Sequence, residues 1–234
     1  MLKRLLRFFA PYRPDLAFIK AREEAYERAF GVKAQILHST DRKAPHVDLY
    51  VFPSAGQRDF VAIVTGGMSD LPMPVPEGSA AAAHVELVMG VGQQQHWATN
   101  LLKLVAEYPF DQGTFYDIHH TVPFGGELGE GSSLSAFLFV RPRFLPEELA
   151  QFEFDGRRIR FLQAVAITTA EHQFAVAQGS DKLEALLEKP GYLITRDPNR
   201  QSVVRGAEPS AAPNGGPATP LGNSGLTEGP PSVS

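Results

Sequence analysis

Asp117-x-His119-His120 is the segment of this chain whose residue types best suit metal or acid–base chemistry. Neutral imidazole is a ligand for zinc or nickel, and a carboxylate adds a hard oxygen. Adjacent histidines on an extended segment point to opposite sides, however, so His119 and His120 are poorly placed to hold one ion together. The expectation is a loop pair, one ring exposed and one packed, with no metal bound. A second pair lies in the apolar run His84-Val85-Glu86-Leu87-Val88-Met89, where alternation puts His84, Glu86 and Val88 on one strand face. Burial would raise the Glu86 carboxyl pKa and a charged His84 would lower it, which is how a catalytic pair is tuned. The same two residues serve equally as a structural ion pair or as an exposed strand face, and one of these structural roles is the expectation. Glu171-His172 invites the same thought, but Thr168-Thr169-Ala170-Glu171 is a capping box that already occupies Glu171.

Thr65-Gly66-Gly67 lacks the Lys-Ser/Thr of a phosphate loop and the G-x-G-x-x-G spacing of a dinucleotide turn, and Pro72, Pro74 and Pro76 prevent an immediate helix. Ser54 and Ser69 stand outside any G-x-S-x-G context. The absence of cysteine removes disulfides, thiolate metal sites and a cysteine nucleophile. The chain is therefore read as a non-enzyme without a cofactor. The alternative is a small metal-dependent hydrolase built on Asp117, His119 and His120.

The chain has 234 residues, 43% hydrophobic and 21% charged, which is enough for a substantial core. Its net charge of −4 offers no case for nucleic acid. No segment approaches the ~20 apolar residues of a membrane span. At the start, Met1-Leu2-Lys3-Arg4-Leu5-Leu6-Arg7-Phe8-Phe9 breaks its apolar residues with Arg4 and Arg7. A secretory leader needs an unbroken run of ~7–15 apolar residues. The segment is read as a short amphipathic helix packing on the domain, and the chain as cytoplasmic, with no membrane and no nucleic acid among its partners.

Asp15 opens a helix that runs to Phe30 and stops at Gly31, with Leu16, Ile19, Tyr26 and Phe30 on one face and Arg22, Glu24 and Arg28 off it. Strands are expected at about 33–39, 47–52, 59–65 and 84–90, joined by loops, which argues for antiparallel or mixed pairing. Trp97, Leu101, Leu104, Val105 and Tyr108 recur at helical spacing until Pro109 ends the pattern. The passage from His119 through Phe124 to Gly131 reads as an extended loop, Leu134 to Val140 as a buried strand, and Pro146 to Leu149 as a short helix. Asp155-Gly156 centres a hairpin over 152–161 whose second strand continues to Ile167. The capped helix ends near Gly179, and Asp181 to Lys189 forms another. After Arg205 the composition turns to Gly, Pro, Ser and Ala, too poor in apolar residues to offset ~1–2 kcal/mol of backbone entropy per residue. The organisation is thus an N-terminal helical segment over 1–31, a domain over 32–204, and a disordered tail over 205–234.

The order of landmarks within 32–205 resembles the suppressor of fused family. They are Asp48-Leu49-Tyr50-Val51-Phe52-Pro53, the turn from Thr65 to Met73, Val85 to Met89, the helix through Leu101 and Leu104, Tyr108-Pro109-Phe110, and Ala166-Ile167-Thr168-Thr169-Ala170-Glu171. Ala166 stands where the family often has proline. The resemblance implies an α+β fold, a mixed, largely antiparallel β-sheet packed with helices. It also implies protein binding: animal members clamp an extended peptide by strand addition, and bacterial single-domain members are associated with polymorphic toxin systems as immunity proteins. The expected partner is a protein, a toxin domain in the immunity version, and the short chain points to a bacterial member. Asp48, Tyr50, Thr65, Gly66, Gly67, Met68, Met73, Glu86, Thr168 and Glu171 match the family motif and are expected to be structural, with Gly66 and Gly67 permitting a positive-φ turn and Met68 and Met73 plugging the loop onto the sheet. Exposed residues of the glycine-rich passage, Phe115, Tyr116, His119, His120 and Phe124, are the candidate partner contacts.

Overall fold

Local signals set the first helix. In the computed structural model, which describes residues 14–40, 44–93, 96–129, 131–150 and 152–204, Asp15 caps α1 (Leu16–Phe30) by accepting from the Phe18 N–H, and Gly31 ends it in the left-handed region. The expected amphipathic segment at 1–9 and the expected tail beyond 204 lie outside these residues. The buried stripe of α1 is Phe18, Arg22, Ala25, Tyr26 and Phe30. That corrects the expected face: Leu16 is 73% exposed, and Arg22 is inside because a carboxylate waits for it there.

Among the described residues seven strands form one sheet in the order β1-β2-β3-β4-β9-β6-β5. They are β1 (Gln35–Leu37), β2 (Asp48–Phe52), β3 (Val61–Gly66), β4 (Val85–Val91), β5 (Thr121–Pro123), β6 (Leu134–Val140) and β9 (Arg160–Thr168). Every neighbouring pair is antiparallel except β4 and β9, which run parallel from Val85↔Arg160 to Val88↔Gln163. The α+β architecture with a mixed, largely antiparallel sheet is therefore as expected. At Asp155-Gly156 both residues have positive φ, and the hairpin closes a separate ladder of β7 (Glu153–Phe154) and β8 (Arg157–Arg158) rather than feeding one long strand.

Both faces of the sheet are covered, which is why β4 is buried along its whole length. On one face α2 (His96–Gln112) packs Ala98, Leu102, Val105 and Ala106 against Leu49, Ile63, Leu87, Met89, Phe137 and Leu162. On the other, α1 covers Tyr50, Phe52, Val64, Val88 and Phe161. The remaining part of that face, Ala136, Leu138, Val140, Val165 and Ile167, lies under α4 (Thr169–Gln178) and α5 (Ser180–Glu188). A short α3 (Glu147–Ala150) contacts α1. Among the described residues no helix is long and apolar enough to cross a membrane.

Pro109 does not end α2, which continues to Gln112. Proline has no N–H to give the carbonyl of Val105, four residues earlier. The Tyr116 hydroxyl donates to that carbonyl instead at 2.9 Å, so the loop after the helix repairs the bond the proline removes. Three residues of the expected loop also pair with β6 as β5, the last strand at this edge.

Candidate functional site

The motif residues converge on a buried ionic centre. Glu86 is fully buried and accepts from the Thr65 hydroxyl (2.6 Å), the Gly67 N–H (3.0 Å), the Ser69 N–H (3.1 Å) and the Ser69 hydroxyl (2.6 Å). Arg22 approaches it at 3.5 Å and bonds Asp70 at 2.9 Å. Burial pushes the Glu86 carboxyl above the usual range, while Arg22 and the two hydroxyls draw it back. His84 turns aside to Ser69, its Nδ1 lying 2.8 Å from the carbonyl oxygen, so His84 and Glu86 form neither a catalytic pair nor the expected ion pair or exposed face; Glu86 is buried and Arg22 is the cation beside it. The Tyr26 hydroxyl donates to the Thr65 carbonyl and that of Tyr50 to Glu23. A charged group sealed this way holds α1 to the turn and has no room for a substrate.

Gly67 takes φ 113° as expected, and a Cβ there would strike the His46 carbonyl oxygen. Gly66 is needed for a different reason than expected: a side chain there would collide with the Tyr50 ring. Met68 and Met73 are both buried in the core, plugging the turn onto the sheet. Asp48 accepts from the Ser39 N–H and lies 3.1 Å from His38.

The capping box is present, Thr168 accepting from the Glu171 N–H and Glu171 accepting from the Thr168 N–H. Glu171 also receives Arg200 in a two-pronged pair at 2.6 and 2.7 Å, and the Val203 N–H. Burial raises its carboxyl, but Arg200 together with the Thr168 and Val203 N–H bonds outweighs burial and holds it below the usual range. Neither arginine is signalled by its local motif. The available sign for Arg22 is its place at i+4 from Phe18 and i−4 from Tyr26, a cation inside an apolar stripe.

The Asp117, His119 and His120 cluster comes apart. Asp117 pairs with Arg160 (3.0 Å), His119 with Glu184 (2.8 Å), and the His120 ring rests near Phe115 at 5.3 Å between centroids. Among the described residues no group of three or more His, Cys, Asp or Glu could hold a metal, and nothing supports the hydrolase alternative. Tyr116, expected as an exposed contact, is 2% exposed because its hydroxyl serves α2. Phe115 and Phe124 are half-buried and His120 is exposed.

These residues border a groove between the end of α2 and strand β5. One end is an apolar cleft lined by Leu104, Tyr108, Val122 and Phe124, with Glu107 and Asp111 beside them. It opens past Tyr108 and Val122 into a wider trough of about 610 Å³ bordered by Phe115, His119 and His120. The ladder alternates, so β5 turns the backbone groups of Thr121 and Pro123 to the open edge, and Pro123 has no N–H. This edge is a poor template for an added strand.

The sequence model of the suppressor of fused protein family matches residues 43–201. The immunity protein YqcF of Bacillus subtilis (strain 168) is 26% identical over 180 residues, which is 75% of this chain and 92% of the relative. A crystallised suppressor of fused homologue from Neisseria gonorrhoeae FA 1090 superposes with a TM-score of 0.63 at 18% identity, covering 82% of this chain and all of the other. A Sufu–Fu complex structure gives 0.61 at 16% identity over 83% of this chain and 93% of that one. Drosophila Suppressor of Fused also gives 0.61 at 16%, over 84% of this chain and 52% of that one.

Proposed function

The chain belongs to the suppressor of fused protein family, and from that premise we propose that it is a non-enzymatic protein-binding module of the immunity type, acting in the cytoplasm on a polymorphic toxin domain. The observation that carries the reading is the groove between α2 and β5. It is the place where the half-buried aromatics Phe115 and Phe124 and the exposed His120 border open space, while the buried ionic residues of the motif are all spent on holding the fold. Likeness to an immunity protein over nearly all of that protein's length supports the class of partner. A stable complex needs roughly 800 Å² from each side with a few aromatic anchors, and the groove supplies such anchors at its rim.

The test is co-expression with the toxin domain encoded beside the gene, scored by growth, followed by titration of the purified pair. Growth rescue and a complex weakened at least about tenfold by Phe124→Ala, equivalent to about 1.4 kcal/mol, are expected. Unrescued growth with no binding by the folded chain would overturn the immunity reading.

A further inference from the structure

His119 stands where a chain ordinarily places glycine. Its φ is 69°, and the other non-glycine residue with positive φ among the described ones is Asp155, at the tip of a hairpin. The His120 N–H closes a turn on the Asp117 carbonyl at 3.2 Å, with His119 in the third position. The His119 N–H then donates to the Phe139 carbonyl at 2.7 Å, while the Phe139 N–H donates to the His120 carbonyl at 2.9 Å. Two residues thus oppose one, a β-bulge just ahead of β5 whose first position favours glycine because a Cβ is strained there. Bulges re-aim side chains, and strain of this kind gathers at ligand clamps.

The ring is fixed from behind. Its Nε2 lies 2.8 Å from Glu184 of α5, and the other oxygen of Glu184 takes Arg143 at 2.9 Å. A carboxylate bonded to arginine only accepts, so Nε2 carries the proton and Nδ1 of the neutral ring is an acceptor. Nδ1 has no hydrogen-bond partner among the described residues, the side chain is 38% exposed, and the ring borders the trough. Tyr108, Phe115 and His120 give the trough aromatic walls, and no aspartate, glutamate, lysine or arginine lines it.

We propose that the trough takes a tyrosine side chain presented by a protein partner, its ring against Tyr108 and Phe115 and its hydroxyl donating to His119 Nδ1. A charged guest finds no counter-charge among the lining residues. A phenylalanine would bury the aimed acceptor without a donor. Tyrosine joins a large rigid apolar body to one donor at its tip, and it is enriched among interface anchors. The presence of a partner rests on the binding reading given above; the preference of the trough depends on this chain alone.

The experiment uses the full chain and two neutral probes, N-acetyltyrosinamide and N-acetylphenylalaninamide, titrated into nitrogen-15-labelled protein and followed by NMR. Before any addition, the His119 ring signals are expected to place the proton on Nε2. The tyrosine compound is expected to move the amide signals of Thr114, Phe115 and Thr121 together with His119 Nδ1, at millimolar concentrations suited to so small a ligand. The phenylalanine compound is expected to bind about 3–10-fold more weakly, the worth of one net hydrogen bond. His119→Gly is expected to keep its urea midpoint, because glycine suits φ 69°, and to bind the two compounds alike. A folded His119→Gly that still prefers the tyrosine compound overturns the proposal. So do equal binding by the parent chain, no shift at the trough, or a proton on Nδ1, and these three need no variant to fold. A chain that prefers the tyrosine compound but binds no toxin keeps this proposal and loses the immunity reading, so the two fail separately.

Discussion

Glu86 and Arg22 have value only together. Removing the cation leaves a buried carboxylate with neutral donors alone, whereas removing the charge of Glu86 leaves Arg22 its 2.9 Å contact with Asp70. Arg22→Met is therefore expected to cost about 3–5 kcal/mol and Glu86→Gln distinctly less, read from urea denaturation midpoints at unchanged slope. Glu171 makes the pH case. Its folded carboxyl is held below the ordinary range by Arg200, so it stabilises the fold above the unfolded carboxyl pKa, and that stability is lost as pH falls through the folded value. Acid titration of the unfolding midpoint is expected to show a loss below about pH 4.3, absent in Arg200→Met.

At the scale of elements, the repair of α2 gives a cycle to measure. Tyr116→Phe strands the Val105 carbonyl and is expected to cost about 1–3 kcal/mol. In that background Pro109→Ala supplies the missing N–H, so the double variant is expected to be more stable than Tyr116→Phe alone by thermal or chemical unfolding. An equal or lower stability would mean that the hydroxyl does not substitute for the helical bond. The same case shows what was readable in the chain. Asp15, Gly31 and the Thr168 box act within a few residues of themselves, and each set its element as written, whereas the Asp155-Gly156 turn formed but closes only a separate two-residue ladder. Pro109 carried its usual local meaning, but its compensation came from a side chain seven positions away. The face of α1 was misjudged because Arg22 is buried for the sake of Glu86, sixty-four positions distant. Of the candidate contacts, the placement of Phe115, His120 and Phe124 around one groove depended on β5 forming at all, which three residues with a proline do not announce.

At the scale of the whole molecule, the segment after α5 acts as a strap. Gln163 donates to the Leu193 carbonyl, the Thr195 N–H to Gly90, and Ser132 and Ser133 reach the Pro198 carbonyl before Arg200 enters Glu171. Ending the chain after Val204 keeps all of these and is expected to leave the melting temperature within a few degrees of the full chain. Ending it after Lys189 exposes the ends of β4 and β6 and orphans Glu171, and circular dichroism is expected to show an unfolded or aggregated product.

The parallel pairing of β4 with β9 has a consequence in time. β4 finds β3 soon after it is made, but its other edge waits for β9, whose Arg160 is made about 75 residues after Val85. At ~5–20 residues per second that is roughly 4–15 s of synthesis, during which a strand that ends up buried along its whole length has one side uncovered. The strand that ends up deepest is the one left waiting longest on the ribosome. That interval is the part of synthesis in which the second edge of β4 stays open to unwanted pairing.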